Sequence, residues 1–91
     1  MEHDEAIALL EEHHTFPGPF QFRVIVEPDA VDRAEQAIAS VFESGATARE
    51  ERWSRTRKYC ALHLTFQATD AEQVIRAFGV IGTVEGVRIQ L

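Results

Sequence analysis

Two stretches of this chain alternate apolar and polar residues, and each is followed by an apolar stripe of helical period. Phe20 to Val26 puts Phe20, Phe22, Val24 and Val26 on one face and Gln21, Arg23 and Ile25 on the other. Tyr59 to Ala68 puts Cys60, Leu62, Leu64 and Phe66 on one face, with Tyr59, Ala61, His63, Thr65 and Gln67 opposite. A period of two over that length marks a half-buried strand. After the first strand, Glu27-Pro28-Asp29 stops the alternation, and Asp29 is suited to cap a helix by accepting from its free amides. Val31, Ala34, Ile38, Val41 and Phe42 form that helix's apolar stripe. Glu43-Ser44-Gly45 supplies its stop, with Gly45 fitted to a left-handed terminal position. After the second strand, Thr69 to Glu72 has the capping-box pattern, Thr69 and Glu72 each satisfying the other's amide. Ala71, Val74, Phe78 and Ile81 share the next helical face, and Gly82 ends it.

The remaining segments complete a pattern. Ala46 to Arg55 is charged and alternates poorly, as befits a strand at a sheet edge, where charge deters pairing with other chains. Ser54 to Lys58 is polar enough to turn the chain. Val87, Ile89 and Leu91 alternate with Arg88 and Gln90 in a last strand. The order is βαββαβ, a split βαβ unit of the ferredoxin-like α+β plan. Four antiparallel strands then carry two helices on one face, and the order 4-1-3-2 keeps the apolar strands central. The expected core is Phe22, Val24, Val26, Val31, Ile38, Val41, Leu62, Leu64, Phe66, Val74, Phe78, Ile81, Val87 and Ile89.

Ahead of this domain, residues 1–15 form an acidic extension. Ala6 to Leu10 fits a helix of about two turns, which must pack on something or fray. Pro17 to Pro19 makes a rigid lead-in to the first strand. Residues 16–91 form the single domain that 91 residues allow. The net charge of −6 is uneven: residues 1–14 carry five acids and no Lys or Arg, whereas residues 49–58 carry five bases and two acids. Overall acidity disfavours general nucleic-acid or anionic-membrane affinity. Cys60, the one cysteine, allows no intrachain disulfide, and no stretch approaches the 18 apolar residues of a membrane span. With an acidic N-terminus unlike a secretory or mitochondrial leader, the expectation is a cytoplasmic protein.

The lead-in FPGPF, the charged edge strand, the Ser54 to Tyr59 turn, the capping segment ATDAEQV and the ending EGVRIQL follow one another in that order. Together they resemble the YbeD-like proteins, small bacterial domains of unknown function. The resemblance covers residues 9–91. It implies a ferredoxin-like fold close to ACT regulatory domains, which commonly bind small molecules and associate in pairs. Such genes can lie near lipoate-attachment genes, which implies a metabolic regulatory role. It brings no catalytic residues. Two departures stand out. Arg57 stands where the strand turn usually has Gly, which argues against a tight turn needing positive φ. Glu27-Pro28 replaces a Gly at the end of the first strand, which makes that loop poor at accepting an amino-acid carboxylate.

The candidate chemistry is sparse. His3, His13 and His14 lie near Glu11 and Glu12, but their spacing matches no metal site, and they read as solvated histidines. Cys60 and His63 cannot act as nucleophile and base, because residues three apart on a strand face opposite ways. No catalytic residue, metal or cofactor is expected. The open sheet face should carry Arg23, Ile25, His63, Thr65, Arg88 and Gln90, with Tyr59 and Gln67 further along. The expected role is a non-catalytic regulatory or protein-interaction domain. Its contact surface would be the hairpin residues Trp53, Arg55, Arg57, Lys58 and Tyr59 with Arg23, His63 and Arg88 of the face. The partner would be another protein, or a second copy meeting the sheet face or edge strand. One alternative is RNA binding through the same hairpin and face, although RNA-recognition sheets stack bases on central aromatics that are missing here. The other is small-molecule sensing of the ACT type.

Overall fold

The computed structural model of the chain describes residues 2–43 and 45–90; Ser44 of the expected helix stop and Leu91 of the expected last strand lie outside them. The elements run α1 (His3–His13), β1 (Gly18–Val26), a 3-10 turn (Pro28–Ala30), α2 (Val31–Ala39), β2 (Ala48–Trp53), β3 (Cys60–Ala68), α3 (Ala71–Ile81) and β4 (Val87–Gln90). The strands form one antiparallel sheet in the order β2-β3-β1-β4, the expected order read from its other edge. With α2 and α3 packed together against the sheet, this is the ferredoxin-like arrangement.

The two alternating stretches are the central strands. They pair along their length, from Gly18 opposite Ala68 to Val26 opposite Cys60. Cross-strand partners share a face, so Phe20 with Phe66, Phe22 with Leu64, Val24 with Leu62 and Val26 with Cys60 form successive buried layers. The Phe22 ring is the hub, with ring centres of Phe20, Phe42, Phe66 and Phe78 at 5.0, 5.8, 6.2 and 5.5 Å. Phe42 stacks on Phe66 at 4.7 Å.

Both helix starts differ from expectation. Asp29 does not cap α2. Pro28–Ala30 first makes a 3-10 turn, closed by the Ala30 amide on the Glu27 carbonyl at 2.9 Å, and Ala30 takes the N-cap position without a side-chain acceptor. For α3 the cap lies one residue later than Thr69. Asp70 accepts from the Gln73 amide at 2.9 Å, while Gln73 Oε1 accepts from the Thr69 amide at 2.7 Å and hydroxyl at 2.9 Å. The displacement follows from burial: Gln73 faces inward, where its Nε2 also donates to the Val41 carbonyl at 3.1 Å, whereas Glu72 faces out toward His3. Gln73 thus ties the start of α3 to the end of α2.

The end of α2 also differs. The helix stops at Ala39 rather than Gly45. The Ser40 hydroxyl donates to the Ala37 carbonyl at 2.6 Å, and the Val41 and Phe42 amides reach the Ile38 and Ala39 carbonyls in tight i to i−3 bonds. Such bonds satisfy terminal carbonyls while narrowing the last turn. The tightening brings Phe42 into the core. Gly82 does end α3, its amide bonding the Phe78 carbonyl at 3.1 Å. At the other end of the chain, α1 has three turns rather than two. It packs on α3 with Leu10 half-buried against the core and His3 Nε2 3.4 Å from Glu72 Oε1.

The main departure is in β4. Val26 pairs with Val87, but Ile25 pairs with Ile89. Arg88 is the extra residue of a β-bulge, and one extra residue reverses the facing of everything after it. Ile89, expected in the core, is therefore on the open face and 49% exposed. Gln90, expected on the open face, pairs with inward-facing Val24 and donates to the Phe78 carbonyl of α3 at 3.4 Å. Of the other expected core residues, Val41, Phe78 and Val87 are half-buried and the rest are buried.

Cys60 is fully buried, as its place on the apolar face predicts. Burial, helped by the Glu51 charge, pushes its thiol pKa up. An unfolded thiol ionises near pH 8.5, so above about that pH the unfolded chain releases a proton that the native chain keeps, and stability falls as pH rises. Urea titrations from pH 8 to 10 should therefore show a steeper loss for the parent than for Cys60→Ala. Equal slopes would refute this linkage.

Candidate interaction site on the open sheet face

The register sorts the uncovered face into rows. At one end Ala48, Thr65 and Gln21 lie side by side; next come Glu50, His63 and Arg23; then Arg52, Ala61, Ile25 and Ile89. Tyr59, just ahead of β3, continues this face beyond the last row. The face thus grades from small and polar, through charged, to apolar. Ile25 is half-buried, Tyr59 is 44% exposed and Ile89 is 49% exposed. With Arg88 they line an open depression of about 550 Å³. A second depression of about 470 Å³ adjoins it across Tyr59, lined also by Glu27, Pro28, Asp29 and Lys58.

Two anchors place β4 and its exposed isoleucine. The Gly86 carbonyl accepts from the Glu27 amide at 2.8 Å. Arg33 of α2 donates to the Glu85 carbonyl through Nε at 3.1 Å and Nη2 at 2.8 Å. Arg88, at the bulge, meets Glu27 Oε1 at 2.6 Å, and that carboxylate raises the already high guanidinium pKa.

The expected contact residues do not form one cluster. Tyr59 and Arg88 are at the apolar end. Arg23 and His63 are in the charged row, where Arg23 Nε donates to Gln21 at 3.0 Å. From the next row Arg52 reaches Glu50 of this one at 2.6 Å and holds its carboxyl below the ordinary value, with the nearby His63 contributing. Trp53 is on the other side of the sheet. It pairs with Cys60, so it faces the helices, half-buried against the core. The Arg57 guanidinium lies 5.3 Å above its ring.

The turn itself is tight, contrary to the expectation drawn from Arg57. The Ser54 amide donates to the Tyr59 carbonyl at 2.9 Å, the Arg57 amide to the Ser54 carbonyl at 3.0 Å, and the Tyr59 amide to Ser54 Oγ at 3.1 Å. Arg57 takes the left-handed position itself, with φ of 59°. That conformation costs a non-glycine residue roughly 1–2 kcal/mol. The guanidinium–indole contact returns about 0.5–1 kcal/mol at an exposed site.

The basic segment is less basic than its sequence. Arg49 is held by Glu35 at 2.8 Å, Glu51 at 3.3 Å and Asp32 at 3.8 Å, and Arg52 by Glu50. Arg49 and Glu51 both point to the helix side of β2, the inward charge that guards an edge strand. Among the described residues, Arg55, Arg57 and Lys58 make no ion pair. The cationic character of the hairpin is thus confined to its tip, beside Tyr59 and the apolar depression.

Cys60 and His63 lie on opposite faces, as their spacing predicts. Among the described residues, no three His, Cys, Asp or Glu side chains come together as metal ligands, and no helix is long and apolar enough to cross a membrane. Ile89 is the site residue that alternation alone misplaces; Gly86, free to adopt φ of 96°, is the nearest sign in the sequence of an irregular strand entry. Among curated proteins, no match is found. The profile of a family described as "Protein of unknown function (DUF493)" matches residues 11–91, from the last turn of α1 through the whole sheet, and the chain belongs to that family.

Proposed function

We propose that this chain is a non-catalytic regulatory or protein-interaction domain that meets a protein partner with the apolar end of its open face and the adjoining β2–β3 turn. The observation that carries this reading is the bulge at Arg88, which turns Ile89 outward beside Ile25 and Tyr59. A sheet face left to solvent is served by polar residues. Here a chain with a well-packed core leaves two of its exposed large apolar side chains on one patch, rimmed by Arg88 and Lys58. Aromatic, apolar and Arg side chains of this kind are enriched in protein contacts. The likeness to YbeD-like and ACT domains supports a regulatory setting, as an analogy of fold. A cytoplasmic location is part of the same proposal.

Site-directed photo-cross-linking tests it. A photoreactive amino acid replacing Ile89 should give discrete protein adducts in the native cell. The same group replacing Arg76, on the exposed side of α3, should not. Adducts of the same mass from both positions, or none from position 89, would overturn the proposed surface.

A further inference from the structure

We infer that this surface takes an acidic protein segment carrying one large apolar side chain, the apolar group in the depression between Tyr59 and Ile89 and the carboxylates on the hairpin tip. The inference rests on the interaction reading above and adds the chemistry of the partner. Charge makes the case. On a chain of net charge −6, Arg49, Arg52 and Arg88 are neutralised by carboxylates of this same chain. Arg55, Arg57 and Lys58 have no such partner among the described residues. They belong to one turn, with Arg57 over the Trp53 ring and Lys58 beside Tyr59. The net charge of the molecule repels an acidic segment; Arg23 and Arg76, also without an ion pair among the described residues, stand singly, whereas this tip gathers three cations in four residues and attracts one. Such an arrangement orients a partner before contact.

The depression supplies the second half of the recognition. It is lined by Ile25, Ile89, Tyr59 and Arg88. It is bounded in sequence and space by two kinds of charge. Beyond Tyr59, Lys58 lines the neighbouring hollow together with Glu27 and Asp29. A partner's carboxylates then meet the cations of the hairpin tip, Arg55 and Lys58. Single-stranded RNA shares the negative charge, but Tyr59 stands beyond the last row, and the outward positions Arg23, Ile25, Ala61, His63 and Thr65 of the central strands hold no Phe, Tyr or Trp.

The probe is a short acetylated peptide of Asp and Glu around one central Phe, titrated into isotopically labelled protein and followed by amide shifts. Shifts should gather at Ile25, Tyr59, Ile89 and residues 55–58, and weaken as salt is raised. Arg55→Glu/Lys58→Glu and, separately, Ile89→Asp should each weaken binding about tenfold or more, as expected for charge reversal and for loss of an anchor site. Circular dichroism of each variant checks that the fold persists. A peptide with Ser for Phe should bind more weakly. An Asn/Gln version binding as well as the acidic one would overturn the acidic class and leave the contact surface standing. So would failure of the acidic peptide while position 89 still gives adducts in cells. Failure of both tests would remove the interaction reading as well. Tighter binding of a short oligouridine with the same shifts would assign the surface to RNA. A stable dimer by sedimentation that occludes Tyr59 and Ile89 would assign it to a second copy. Either result overturns the inference.

Discussion

Phe22→Ala should lower the stability of this domain by about 3–5 kcal/mol, the usual cost of removing a large aromatic side chain from a well-packed core. Domains have only about 5–15 kcal/mol in total, so the variant should lose a large share of its stability. Phe22 is 1% exposed, and four phenylalanine rings lie within 6.2 Å of its own. It links β1 to β3 through Phe66, to the tightened end of α2 through Phe42, and to α3 through Phe78. A cavity there cannot be closed by one neighbour without disturbing another. Phe78→Ala is the control. Phe78 is half-buried and sits at one side of the cluster, where solvent and a shift of α3 can fill part of the space. Its loss should be clearly smaller in parallel urea titrations. If Phe78→Ala cost as much as Phe22→Ala, Phe22 would not be the hub of the core.

The two central strands were legible because each is half-buried, and burial on one face imposes a period of two. Their pairing is an unbroken ladder from Gly18 to Val26, so the expected facing of all their residues holds. The edge position of β2 was legible from its charge. Helix ends were less so. Asp29, Thr69 and Gly45 each have the right chemistry for a cap or stop, yet tertiary contacts chose other residues. Gln73 is claimed by Val41 and Thr69, Phe42 by the core, and Ala30 by the 3-10 turn. Local propensity is worth about 1 kcal/mol at such positions, and a buried ring or a shared buried amide outweighs it.

The site was legible in its chemistry but not in its geometry. Tyr59, Lys58 and Arg88 border the apolar end, but Trp53 belongs to the opposite side and Arg57 lies over it. Ile89 was placed in the core because V-R-I-Q alternates without a flaw. A bulge depends on how two strands meet and leaves no fixed mark in either one. From the extra position the Arg88 side chain reaches Glu27. Sequence alternation is thus a dependable guide in mid-sheet and a poor one at a short edge strand beside a loop.

Gly86 is where fold and site are most tightly coupled. Its φ is 96°, and a Cβ built on it would lie 2.5 Å from the Ala30 Cβ and 3.1 Å from Arg33 Nη2. Arg33 could swing aside, but Ala30 is buried at the entry to α2 and cannot. Gly86→Ala should therefore cost more than the roughly 1–2 kcal/mol of the left-handed penalty alone, because the overlap forces the loop away from α2. That displacement would break the Glu27 amide bond to the Gly86 carbonyl and the Arg33 bonds to Glu85, the contacts that set the start of β4. The bulge would then lose its anchor and Ile89 its place beside Ile25. Amide shifts and hydrogen-exchange protection should change along Val24–Val26 and Val87–Gln90, while β2 and the Ser54–Tyr59 turn stay as they are. Gly79→Ala gives the contrast. Gly79 is exposed in the last turn of α3 with nothing within 4 Å of a built Cβ, so alanine there should stabilise by up to about 1 kcal/mol through helix propensity. The two glycine-to-alanine changes are chemically identical and should move urea midpoints in opposite directions. A Gly86→Ala protein as stable as the parent would mean that β4 is not held by the loop that precedes it.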